Sequence, residues 1–392
     1  MGENIMSRIF EGHAHHLFHV FKMPVRESVL LFKKAFKLNE IDKVRFLALP
    51  CEATPQREGI EGIGWEKTDH LDNLKALYFK SVFSPDAYAF AGLEYDKVDL
   101  KDKAAVAKEL LRQVKEYKRV GFDGIKMFEG HPNTRVSLGY SLDDEIFDPF
   151  YDFCEREDFP VLMHLANSPD MWDKTKVSPY WISRGCYFDE SFPTFDELHD
   201  EIFKMLEKHP KLKFSLAHFG FFTFAPKERI ERFLSYENTS IDITPGGENF
   251  FNILADKEYW IPFIKNNIDR FTYGTDFYNF EYESESSFTK STTARPNLVK
   301  NFFGTNTEHD YYGRKFCGIG LEQEMLNKLY YDNLMSILKE PFKIDYDYCI
   351  DKCDEYAKEF EVTDIQHHNA LCMKNDFISM KENGYIEYFK ED

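Results

Sequence analysis

Short apolar runs alternate with longer amphipathic ones along this chain. Ser7–Phe10 leads into a histidine-rich stretch. Lys43–Leu49, Asp86–Leu93, Gly124–Phe128, Pro160–Leu165, Leu212–His218, Thr239–Thr244 and Arg270–Thr275 each read as a strand. Between Lys101 and Val120 the apolar positions Ala104, Ala107, Leu110, Leu111, Val114 and Tyr117 recur at steps of three and four, which marks one helical face. Asp143–Glu157, Thr194–Lys208, Pro226–Tyr236 and Lys257–Asn266 are further helices. About eight strands separated by helices predict a parallel sheet, enough to close a (β/α)8 TIM-like barrel of the α/β class. The alternation stops after Asp276. Phe277–Gly320 is polar, aromatic and without a strong period, so it is expected to be a long loop. Glu322–Lys339 is again helical, Pro341 stops it, and the tail reads as a charged helical extension. The expected division is a barrel over residues 1–340 and a helical extension over residues 341–392.

Composition narrows the function. Against 68 acidic residues stand 49 Lys and Arg, a net charge of −19. So acidic a surface repels phosphate backbones and anionic lipids, which argues against nucleic acid or membrane partners and for a small-molecule substrate. No apolar run approaches the roughly 18 residues of a membrane span, and Met1–Phe10 has no secretory pattern. Seven cysteines without a framework are expected to be reduced thiols in a cytoplasmic protein.

The chemistry lies at the strand ends. His13 and His15 are two apart, so both side chains share one face of the first strand. His164 ends the fifth, His218 the sixth, and Asp276 follows the eighth. The C-terminal ends of parallel strands form the catalytic rim of such a barrel. Neutral imidazoles with one carboxylate suit a divalent ion of intermediate softness, zinc first and manganese as the alternative. Imidazole keeps the ion Lewis-acidic, and a neighbouring carboxylate can accept a proton from water.

Gly12–His15, Gly124–Phe128, Val161–His164, Leu216–Phe219 and Tyr273–Asp276 occur in the order expected of the amidohydrolase superfamily. They resemble the branch containing aminocarboxymuconate semialdehyde decarboxylase and related metal-dependent hydrolases, over roughly residues 8 to 338. The resemblance implies a distorted (β/α)8 barrel, with His13, His15, His164 and Asp276 holding one ion rather than two and His218 as the positioned acid/base. Glu11 stands where the family often has Asp. Barrels of this branch are often homodimers. Two reactions are open: hydrolysis of a small carboxylated, amide or ester substrate, with Asp276 or His218 taking the proton of water, and non-oxidative decarboxylation of an aromatic or unsaturated acid. A non-catalytic metal-binding barrel is the third reading.

Other residues carry alternatives. Lys126 faces the cavity as a substrate-carboxylate partner, bridges two ions as a carbamate, or points into the helix layer. Glu129 is expected to be a solvated rim carboxylate. Trp172, Tyr180, Trp181 and Arg184 lie in the segment expected over the mouth, as a substrate clamp or as lid packing; Arg295 and Arg314 have the same two readings. His16 should point away from His13 and His15, and His19 should lie in the following loop. Cys349, Cys353, Cys372 and His367 or His368 match no common zinc spacing, and two thiols one helical turn apart pack equally well against a core.

Overall fold

A computed structural model describes residues 8–16, 23–50, 71–245, 248–278, 281 and 283–389. Eight parallel strands lie in sequential order: β1 (Phe10–Ala14), β2 (Lys43–Leu47), β3 (Ala87–Ala91), β4 (Gly124–Gly130), β5 (Val161–Leu165), β6 (Phe214–Leu216), β7 (Thr239–Asp242) and β8 (Phe271–Thr272). The short β8 is continued by irregular backbone that closes the sheet onto β1. Gly12 N–H donates to Tyr273 O (3.2 Å), Phe277 N–H to His13 O (2.8 Å) and His15 N–H to Phe277 O (3.0 Å). The fold is therefore a (β/α)8 barrel with a ring of helices. Among the described residues, no helix is long and apolar enough to cross a membrane.

The lower interior of the barrel is a packed plug. Phe10, Leu47, Tyr88, Phe90, Leu162 and Ala217 point inward and meet Tyr331, Leu334 and Leu338 from the helical run after Glu322. That run is α-helical over Gln323–Asn327 and Asn333–Leu338, with a π turn over Lys328–Asp332 between them. A π turn frees a carbonyl from the helix ladder, and Leu329 O accepts the N–H of Tyr273 just beyond β8 (2.9 Å). Above the plug lies a fully buried Arg45, whose Nε donates to Gly12 O (2.7 Å) and whose guanidinium is 4.7 Å from the Phe90 ring centre.

Several elements differ from expectation. Phe277–Gly320 is no loop: it holds a helix over Glu285–Gly304 and a hairpin of β9 (Glu308–Tyr311) with β10 (Arg314–Cys317). The buried stripe of that helix runs through Phe288, Thr292, Pro296, Val299 and Phe303. Thr and Pro on its inner face broke the apolar period, and Thr292 satisfies its hydroxyl on Phe288 O (2.8 Å). The helices Val25–Asn39 and Asp72–Val82 join the outer ring without having been anticipated. The helix expected at Asp143 starts at Asp148, with Pro149 in its first turn.

After Pro341 two helices, Tyr346–Ala357 and Ile365–Asn383, pack on each other and against the barrel's outer helices. Buried polar groups dock this extension. Lys80 Nζ pairs with Asp123 Oδ2 (2.7 Å) and donates to Phe342 O (2.8 Å), while Phe342 N–H donates to Asp123 Oδ1 (2.7 Å). Asp376 accepts from Arg26 Nε (3.0 Å) and from the Tyr78 hydroxyl (2.7 Å). Cys349 and Cys353 are buried in this layer, and His367 Nδ1–H donates to Ala357 O (2.7 Å).

Candidate active site

β1 presents His13 and His15 to the barrel interior, both buried. Each ring is oriented through its Nδ1. That of His13 donates to Asp242 Oδ2 (2.6 Å), and that of His15 donates to Leu47 O (2.9 Å). A neutral imidazole with its proton on Nδ1 keeps a lone pair on Nε2. The two Nε2 atoms face each other at 3.1 Å. Burial, reinforced for His13 by nearby cationic Lys126 and for His15 by His13, holds both rings well below the ordinary histidine pKa, so both are neutral. Asp276 Oδ1 lies 3.8 Å from His13 Nε2 and 3.7 Å from His15 Nε2.

Asp242, at the end of β7, was not anticipated, although a carboxylate between two isoleucines in an apolar strand is a legible signal. Its Oδ1 accepts from Thr244 N–H (2.8 Å) and from the Thr244 hydroxyl. Gly274 makes room for the pair: a Cβ there would lie 2.6 Å from Asp242 Oδ1 and 2.9 Å from the His13 Cβ. Glu11 ties β1 to the segment carrying Asp276. Its Oε1 accepts from His13 N–H (2.9 Å) and Thr275 N–H (3.0 Å), and its Oε2 from the Thr275 hydroxyl (2.7 Å). Burial pushes the Glu11 carboxyl up to about 7.

The histidines form a continuous arc. Ring centres are 5.0 Å apart for His13–His15, 5.3 Å for His13–His218, 4.8 Å for His218–His164 and 5.4 Å for His164–His131. His218 lies two residues beyond β6 in a left-handed turn, with φ of 55°, 57°, 56° and 54° from His218 to Phe221. Such backbone is costly outside glycine, and it turns His218 onto the mouth, where Asn249 Nδ2 holds its carbonyl (2.9 Å). Its Nδ1 is buried without a partner, and burial lowers its pKa to about 3.

His164 stands apart from the grouped ligand atoms. His13, His15 and Asp276 converge, while His164 Nε2–H donates to Ala166 O (3.0 Å). His131, absent from the sequence reading, caps the helix Pro132–Leu138 and stacks on Phe128 at 4.8 Å.

Lys126 lies on β4 with a buried Nζ that has no partner. Burial lowers its pKa to about 8, against the pull of Asp242 and Asp276. Glu129 is not solvated as expected: it is buried, its Oε1 accepts from the Tyr95 hydroxyl (2.9 Å), its Oε2 has no partner, and burial raises its pKa to about 7. It lies where the pairing of β4 with β5 shifts register, between Met127 and Gly130.

Trp181 and Arg184 lie on and just after the short helix Pro179–Ser183. Trp181 is 41% exposed, and the Arg184 guanidinium stands 5.7 Å from the Tyr180 ring centre. Among the described residues, neither hydrogen-bonds to the histidine arc. Arg295 does reach the site, donating through one nitrogen to Asp276 O (2.5 Å) and Oδ2 (2.9 Å). Arg314 instead pairs with Glu248 (3.0 Å). His16 turns away as expected, onto Asp72 O (3.0 Å); His19 lies outside the described residues.

A closed parallel barrel with imidazoles and a carboxylate gathered at its C-terminal rim has the architecture of a barrel enzyme. Residues 96–333, more than half of the chain, match the amidohydrolase family model, and the chain belongs to that family. No curated protein sequence matches it. Among solved structures it is similar to an uncharacterized TIM-barrel protein from Bordetella bronchiseptica (13% identity, TM-score 0.50, covering 84% of this chain and 98% of that one). It is also similar to 2,6-dihydroxybenzoate decarboxylase from Rhizobium (14%, 0.48, 85% and 99%) and 4-oxalomesaconate hydratase from Rhodopseudomonas palustris (13%, 0.49, 90% and 99%). At such identities the likeness is one of fold.

Proposed function

We propose that this chain is a metal-dependent hydrolase of a small carboxylated, amide or ester substrate, with one divalent ion held by His13, His15 and Asp276. The observation that carries this is the facing pair of Nε2 lone pairs at 3.1 Å. Two buried lone pairs repel unless a cation lies between them. Two nitrogens on one ion at about 2.0–2.1 Å lie about 2.9–3.4 Å apart, for angles from square to tetrahedral, so the two imidazoles fit such an ion, and Asp276 Oδ1, 3.7–3.8 Å from them, would close in by a few tenths of an ångström to join. His164, one place beyond His218 on the arc, would join as a fourth ligand on giving up Ala166 O.

A bound ion would polarise a substrate oxygen and bring the pKa of a water toward neutrality. The chain's own groups divide the remaining work. Asp242 and the Leu47 carbonyl fix the tautomers of His13 and His15, as outer partners of ligating histidines do. His218, neutral and with a free Nδ1, accepts a proton from attacking water and returns it to the leaving group. Lys126, without an internal partner, pairs with a substrate carboxylate.

The second reading, non-oxidative decarboxylation of an aromatic or unsaturated acid, is favoured by the wall of the site. Phe128, His131, His164, His218 and Phe221 line it with rings, Phe128 and His131 stacked and the others tilted or edge-on to one another. In that reaction the carbon–carbon bond breaks with its electron pair left on the ring carbon, CO2 departs, and His218 relays a proton from water to that carbon. The test is an assay of Zn2+- and Mn2+-loaded enzyme against lactones, amides and esters, beside CO2 release from hydroxybenzoates. Hydrolysis abolished by His218→Asn supports the first reading. CO2 release alone supports the second, and inactivity on both panels with metal bound contradicts both.

A further inference from the structure

We propose that Arg295, carried by the helix Glu285–Gly304, is a positioning residue that fixes Asp276 as a one-oxygen ligand of the ion. This inference rests on the metal reading above and assigns a role to the segment that closes the barrel after β8. One nitrogen of Arg295 bridges the backbone oxygen (2.5 Å) and Oδ2 (2.9 Å) of the same residue, Asp276. A donor shared between a residue's carbonyl and its own carboxylate locks the side-chain torsion. It leaves Oδ1 as the oxygen turned to His13 and His15. Asp276 also has a φ of 54°, a left-handed backbone uncommon outside glycine, and the same bridge restrains it.

Arg295 is itself held. Its second terminal nitrogen donates to the Tyr278 hydroxyl (3.4 Å), and its guanidinium stands 4.9 Å from the Tyr278 ring centre. The helix beneath is docked on the barrel: Thr292 O accepts from Asn39 Nδ2 (3.2 Å), and Phe302 stacks on Phe250 at 4.4 Å. A rigid element therefore delivers a permanently charged planar donor to one ligand. Lysine, a single point donor on a flexible stem, would make only part of this bridge. On the outer side, a cavity of about 270 Å³ lined by Tyr278, Arg295, Tyr311 and Tyr312 leaves room for a small cation to enter if the side chain is removed.

The test measures Zn2+ affinity by competition with a chromophoric chelator, together with the visible spectrum of the Co2+ form. The proteins are wild type, Arg295→Ala, Arg295→Lys and Arg314→Ala, the last removing an arginine of the same segment that does not reach Asp276. Expected is a loss of about 10–100-fold in Zn2+ affinity for Arg295→Ala, the scale for an outer partner of a ligand. The Co2+ band should change in shape, Arg295→Lys should recover part of the affinity, added guanidinium ion should restore part of it to Arg295→Ala, and Arg314→Ala should match wild type. Arg295→Ala binding Zn2+ as wild type does with an unchanged Co2+ spectrum overturns the proposal alone. An equal loss in Arg314→Ala, with no guanidinium rescue, also overturns it, because the segment would then act only through folding. No Zn2+ bound by wild type overturns the metal reading and this role with it.

Discussion

The two sides of this molecule treat buried charge in opposite ways. Where the C-terminal extension docks, Lys80, Asp123, Arg26, Tyr78 and Asp376 are paired with one another and with backbone groups. At the rim of the barrel, Lys126 Nζ and His218 Nδ1 are buried without partners, and the Nε2 atoms of His13 and His15 face each other. Leaving a buried polar group unmet costs about 1–3 kcal/mol. At the rim, the unmet groups are the ones that the proposed ion and substrate would satisfy.

The sharpest way to break the contrast is at the docking side. Asp123→Ala strands the Lys80 ammonium and removes the acceptor for Phe342 N–H. Urea unfolding should show a loss of about 3–5 kcal/mol, with metal content unchanged in the protein that remains folded. At the rim the balance reverses. Asp242→Asn should lower Zn2+ affinity about 10–100-fold in a chelator competition, while metal-free stability falls by much less than for Asp123→Ala.

Lys126 sharpens the comparison through pH. Its folded pKa, about 8, lies below its ordinary value, so between about 8 and 10.4 the unfolded chain binds more protons. Wild-type stability should therefore rise with pH across that window. Lys126→Met should lack the rise and be about 2 kcal/mol more stable at pH 7, while losing affinity for carboxylated substrates. The smallest effect belongs to Glu129. Its folded pKa, about 7, lies above its ordinary value, so stability should fall as pH rises from about 4.3 to 7. Glu129→Gln should remove that fall and gain about 1 kcal/mol at pH 8, measured by denaturant titration.

Much of the barrel was legible because parallel strands buried on both faces read as continuous apolar runs. Phe46–Leu49 and Val161–Met163 show this. The helix Glu285–Gly304 was not legible, because Thr292 and Pro296 occupy its inner face, where an apolar period would have needed leucines. His13, His15 and Asp276 were legible as a set, since strand ends are fixed by the alternation. Asp242 stands out only as a carboxylate between Ile241 and Ile243, and its role depends on His13, which that local pattern does not name. Arg295 was beyond any local pattern: it comes from a helix read as loop and acts on a residue nineteen positions earlier. Glu129 reads as lying past its strand, but the strand continues to Gly130 and the carboxylate is buried within it.

The central claim is that the facing imidazoles of β1 are ligands. The most direct measurement is metal content by plasma mass spectrometry of untagged protein purified without added metal, beside His13→Ala and Asp276→Asn. About one equivalent of zinc or manganese per chain, lost in both variants while the fold is retained by circular dichroism, is the expected result. No metal in the wild type, even after reconstitution with Zn2+ or Mn2+, would contradict it.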